Sequence, residues 1–131
     1  MRKALLITFL FATISSIAQD FVDAIPEWYN NPPVSTQKYY GVGTGTSRSL
    51  EIAEQKAILQ GNVSIAEQAE PVKVKEIKNT VKSKDGRTNE ETIQQKIVEA
   101  KLIDVTVVKK AYMQKGDTFT VYVLVEMKKK R

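Results

Sequence analysis

The C-terminal stretch constrains the fold more than any other part of the chain. Ile103, Val105 and Val107 alternate with Asp104 and Thr106. Phe119, Val121, Val123 and Val125 alternate with Thr118, Thr120, Tyr122 and Leu124. A period of two is the signature of strands, and Lys115-Gly116-Asp117 between the two runs predicts a turn. The product is a β-hairpin with one almost purely apolar face. Covering that face stabilises the chain by roughly 1.5–3 kcal/mol for each large side chain, before entropy is subtracted. Something else in the sequence must therefore lie on it.

The cover is a helix. From Ser47 to about Gln68, Leu50, Ala53, Ala57, Gly61 and Ile65 recur at spacings of three or four, and Ile52, Leu59, Val63 and Ala66 widen the same side. Ser47 or Ser49 supplies the N-cap. Ala53, Ala57 and Gly61 form a shallow ridge on which a sheet can sit close, offsetting the roughly 1 kcal/mol of helix propensity that Gly61 costs. Pro71 reads as the end of this element. Ahead of it, Tyr39–Thr44 reads as a short strand running into Gly41, Gly43 and Gly45. Val72–Lys84 is rich in valine, isoleucine and lysine and reads as a strand, with Lys73, Lys75, Lys78, Lys82 and Lys84 on a solvated face. Ser83–Asn89 contains Asp85-Gly86 and predicts a turn or loop. Residues 90–101 stay open between helix and strand. The fold expected is α+β: one main amphipathic helix (about 47–69) packed on an antiparallel sheet of about four strands (39–44, 72–83, 103–113 and 118–127), ending in a β-hairpin.

The other end of the chain carries an address. Met1-Arg2-Lys3 is a short positive start, Ala4–Ile14 is uncharged and mostly apolar, and Ser15-Ser16-Ile17-Ala18 is a small-residue exit. The layout is that of a secretory signal, with cleavage expected between Ala18 and Gln19. The apolar run falls well short of the roughly 20 residues of a membrane-spanning helix. The organisation expected is a signal over 1–18, a strap over 19–38, an α+β domain over 39–127 and a basic tail over 128–131. Pro26, Pro32 and Pro33 mark the strap, which also holds Trp28 and Tyr29.

Composition narrows the chemistry. There is no cysteine, so an exported chain of this kind has no disulfide, and lipidation at the cleavage point is not expected. There is no histidine either, which removes the usual general base and the commonest zinc ligand. An enzyme is not expected, and neither catalytic residues, a cofactor nor a metal is assigned. The net charge of +5 falls once Arg2 and Lys3 are removed, too mild a balance for nucleic acid. Gly41-Val42-Gly43-Thr44-Gly45 sits between a strand and a helix but matches neither G-x-G-x-x-G nor a P-loop. Its glycines are expected to let the chain turn tightly and to leave room for an aromatic ring on bare backbone. Glu90/Glu91 and Glu51/Glu54 lie on expected surfaces with no apolar cleft. Asn62-Val63-Ser64 matches a glycosylation sequon, but mid-helix.

Pro26-x-Trp28 followed by Pro32-Pro33, then Tyr39-Tyr40-Gly41-Val42-Gly43, then the helix with Ala53 and Ala57, and finally Tyr122-Val123-Leu124-Val125 occur in an order that resembles the LPP20 lipoprotein family. That family is similar to the N-terminal part of flagellar assembly protein T and to flagellar lipoprotein P. The likeness spans about residues 25–127. It implies a small α+β cell-envelope domain, commonly held on the outer membrane by a lipid, with no catalytic residues to transfer.

The function expected is a non-enzymatic exported envelope protein, periplasmic or secreted and associated with the outer membrane, that binds or assembles with envelope proteins or with itself. Trp28, Tyr29, Tyr39 and Tyr40 are the expected contact residues, and the basic tail is a candidate contact for an anionic surface. The alternatives are a periplasmic module for a small ligand or glycan, using the aromatic strap, and a carboxylate-dependent hydrolase.

Overall fold

Three antiparallel strands and a long helix lying on them position everything else. The computed structural model describes residues 21–85, 90–100 and 103–130. The expected signal and its Ala18/Gln19 cleavage point fall outside the described residues. The order is α1 (Glu27–Asn30), β1 (Lys38–Ser47), α2 (Leu50–Ala69), α3 (Pro71–Asp85), α4 (Glu90–Glu99), β2 (Thr106–Lys115) and β3 (Thr118–Lys128). The strands run in the order β1-β3-β2, so the C-terminal strand is central.

The hairpin forms as its alternation dictates. Lys115 pairs with Thr118, leaving a two-residue loop in which Gly116 takes a φ of 58°. Val121, Val123 and Val125 are fully buried beneath α2 with Ala53, Ala57 and Ile65. On β2, however, Val107 and Tyr112 stand at odd and even positions yet both join this core. The register shifts between Val107 and Lys109, so a bulge at Val108 resets the alternation and returns both to the same face.

Helix α2 docks through an absence of side chains. A Cβ on Gly41 would come within 2.6 Å of the Gly61 carbonyl oxygen, and Cβ atoms on Gly43 and Gly45 would overlap the carbonyl oxygens of Ala57 and Ala53. The two small-residue rows run antiparallel and keep step: two strand residues rise about 6.6 Å and four helix residues about 6 Å. The glycines therefore admit a helix backbone instead of an aromatic ring, and β1 continues through them to Ser47. The Ser49 hydroxyl caps α2 by accepting from the Ile52 amide at 3.4 Å.

Two expectations are corrected here. Among the described residues the sheet has three strands, and residues 72–83 lie in helix α3. Val74, Ile77 and Val81 repeat at helical spacing and face a second core with Val63, Ala66, Ile93 and Ile97. Pro71 opens α3 instead of merely closing α2: the first turn of a helix has no intrahelical partner for the amide that proline lacks. Residues 90–99 form helix α4, with Ile97 wholly buried. Of the expected loop over Ser83–Asn89, Ser83–Asp85 belong to α3 and 86–89 lie outside the described residues.

The face of the sheet away from α2 is covered too. Tyr122 and Leu124 on β3 are buried, and the ring of Tyr29 in α1 meets Tyr122 edge-on at 4.9 Å between centroids. Upstream of α1, Phe21 bridges to Tyr112 in parallel and the Val22 amide donates to the Tyr112 carbonyl at 2.8 Å.

Candidate functional site

The lower end of the sheet, where β1 begins and β3 finishes, gathers positive charge by register. Lys38 is the direct cross-strand partner of Lys128. Like charges placed opposite one another destabilise a strand pair, so this juxtaposition is costly unless an anion offsets it. Glu126 does so for one of the two: its carboxylate accepts from the Lys38 ammonium at 3.3 Å. The ladder continues one step beyond the named strands, where the Lys129 amide donates to the Gln37 carbonyl at 2.8 Å. The expected basic tail thus enters the sheet with Lys128, and Lys129 is hydrogen-bonded just beyond the strand end. The Lys129 ammonium lies 4.9 Å from the centroid of the Tyr39 ring, a cation–π contact. Lys128 and Lys130 have no partner among the described residues. A groove of about 550 Å³, lined by Thr36, Gln37, Lys38 and Lys128–Lys130, opens here. A second, of about 420 Å³, lies on the other side of the β3 end between Ile103, Asp104, Thr106 and Lys130.

The aromatic residues singled out from the sequence are divided between the two faces. Tyr39 points toward α2 and packs on the main core. Tyr40, one residue on, takes the opposite face, and its carbonyl accepts from the Gln68 side chain at 2.8 Å. Tyr29 is committed to Tyr122, and Trp28 beside it is half-buried. The structure brings Tyr39, but not Trp28 or Tyr29, next to the lysine cluster. Sequence inspection finds Lys128–Lys130 as a run of like charge. Lys38 is missed because only the β1–β3 register places it there.

A second polar cluster ties α2 to β2. The Lys110 ammonium pairs with one oxygen of Glu54, and the Tyr112 hydroxyl donates to the other at 3.3 Å. The hydrogen bond to Glu54 holds the Lys110 pKa above its ordinary 10.5. Burial, reinforced by the Glu54 charge, holds that of Tyr112 above 10.0. Both shifts preserve the protonated forms that the contacts need. With α2 and β2 clamped around it, Glu54 has the character of a structural tie.

Two more shallow grooves lie on the helical side. One of about 510 Å³ has Ile77, Val81 and Ala100 at its floor and Glu76, Lys96 and Glu99 around it, and the other lies between Glu67, Val74 and Lys78. None of these four grooves is lined by Trp28 or Tyr29. The Asn62 side-chain oxygen is buried on α2 without a hydrogen-bond partner, a poor setting for glycan attachment. Among the described residues no group of acids could hold a metal, and no helix is long and apolar enough to cross a membrane.

The family model for the LPP20 lipoprotein matches residues 26–128, from the proline ahead of α1 to the end of β3. The chain belongs to the LPP20 lipoprotein family, and that membership points to an envelope lipoprotein-type domain. No curated protein and no solved structure gives a significant match.

Proposed function

We propose that the protein is an exported, non-enzymatic module of the cell envelope that works by assembling with other envelope proteins or with itself. The observation that carries this is the family match, which takes in every described strand and helix. The arrangement of polar groups supports it. The most closely linked polar cluster, Glu54 with Lys110 and Tyr112, joins two elements of the fold, and its side chains are occupied with one another. The partly exposed aromatic groups at Trp28 and Tyr40, on the strap and on the strand edge, offer contact area for a protein surface.

Cross-linking in intact cells that export a tagged copy, followed by fractionation, tests this reading. A discrete cross-linked species in the envelope fraction, weakened by Trp28→Ala, is the expected result. A protein that stays monomeric, or that is recovered in the cytosol still bearing Met1, overturns it.

A further inference from the structure

We propose that the lysine end of the sheet is a docking surface for an anionic phospholipid membrane. This does not depend on the protein partner proposed above. Four observations point to it. First, Lys38 and Lys128 face each other across the ladder, and Glu126 pairs with Lys38 alone, so the site is short of negative charge. Second, Lys130 follows Lys128 at a spacing of two along an extended chain, adding a cation that no described carboxylate pairs. Third, on the α2 face of the same strand ends Tyr39 sits under the Lys129 ammonium, so the end of the sheet carries positive charge on both faces, with an amphipathic ring beside one of the cations. Fourth, Val34 is 97% exposed only two residues ahead of Thr36, with Pro32 and Pro33 exposed next to it. An uncovered apolar tip adjoining a cationic groove fits a surface that is charged at the headgroups and apolar below.

The position of the cluster is as telling as its charge. The ladder holds Lys38, Lys128 and Lys129 by backbone hydrogen bonds, so they are presented together without the ordering cost of a loose tail.

The purified protein is mixed with vesicles of equal parts phosphatidylcholine and phosphatidylglycerol, and with vesicles of phosphatidylcholine alone, then separated by flotation. Binding to the anionic vesicles only, declining as salt is raised, is expected. Each surface lysine contributes about fivefold to partitioning, so the pair Lys128→Ala and Lys130→Ala lowers it by about 25-fold. Lys75→Ala with Lys109→Ala, an equal loss of charge on exposed positions elsewhere, leaves it nearly unchanged. Val34→Asp lowers binding as well. Equal binding to neutral vesicles overturns the proposal, because the lysines are then irrelevant. So does an equal loss in the two double variants, which reduces the effect to net charge. Displacement from the vesicles by inorganic phosphate at physiological concentration assigns the groove to a soluble anion and overturns the membrane. Circular dichroism of each variant confirms that the fold is retained.

Discussion

At the residue scale, the closest fit in the molecule is between atoms that are not there. Gly43 faces the Ala57 carbonyl so closely that a methyl group has no room, and the obstacle is backbone, which cannot swing aside. Gly43→Ala is expected to cost about 3 kcal/mol, the upper end of the overpacking range, read as a lower midpoint in urea unfolding. Gly61→Ala is the informative contrast. Its new methyl would meet a Val125 methyl at 3.1 Å, a contact that a small side-chain shift relieves. Alanine also returns about 1 kcal/mol of helix propensity, so that variant should be near neutral or slightly stabilised. The Glu54 tie gives a pH prediction. Both Lys110 and Tyr112 have folded pKa values raised above the ordinary 10.5 and 10.0. Their contribution is fully present below those ordinary values and is lost as the pH climbs through the higher folded ones. Stability measured by urea midpoint should therefore fall above about pH 10, and Lys110→Met with Tyr112→Phe should flatten that decline.

At the element scale, the parts that were legible in the sequence share one property: a single period that no other feature contradicts. The hairpin and α2 are of this kind, and so is the Ser49 cap, whose removal in Ser49→Ala is expected to cost about 1 kcal/mol by thermal unfolding. Helix α3 reads as a strand from its composition because two signals conflict. Its valine and isoleucine content favours a strand, whereas the spacing of Val74, Ile77 and Val81 favours a helix, and packing on Ile93 and Ile97 decides for spacing. Thr80→Pro separates the two directly. In mid-helix it should cost about 3 kcal/mol and reduce the helical circular-dichroism signal. The bulge at Val108 could not be read at all, because it reconciles two alternations that each look regular alone. For the lysine site the run at 128–130 was visible, but its meaning lay in which residue of β1 stands opposite.

At the scale of the whole molecule, the two cores differ in how they are held. The sheet core has α2 on one face and Tyr29 on the other, while the second core rests on helix-to-helix contacts among α2, α3 and α4. Hydrogen exchange should accordingly be slowest in β3, whose Val121–Val125 are all buried, and faster throughout α3. Finally, Gln60 and Gln68 reach from α2 to the outer rim of β1, where the Gln60 side-chain oxygen accepts from the Thr44 amide at 2.6 Å and the Gln68 amide donates to the Tyr40 carbonyl. An incoming polypeptide would have to evict both side chains to zip onto that rim. On the β2 flank the Phe21–Val22 segment already lies against Tyr112, so neither border of the sheet offers an unobstructed ladder to a second copy.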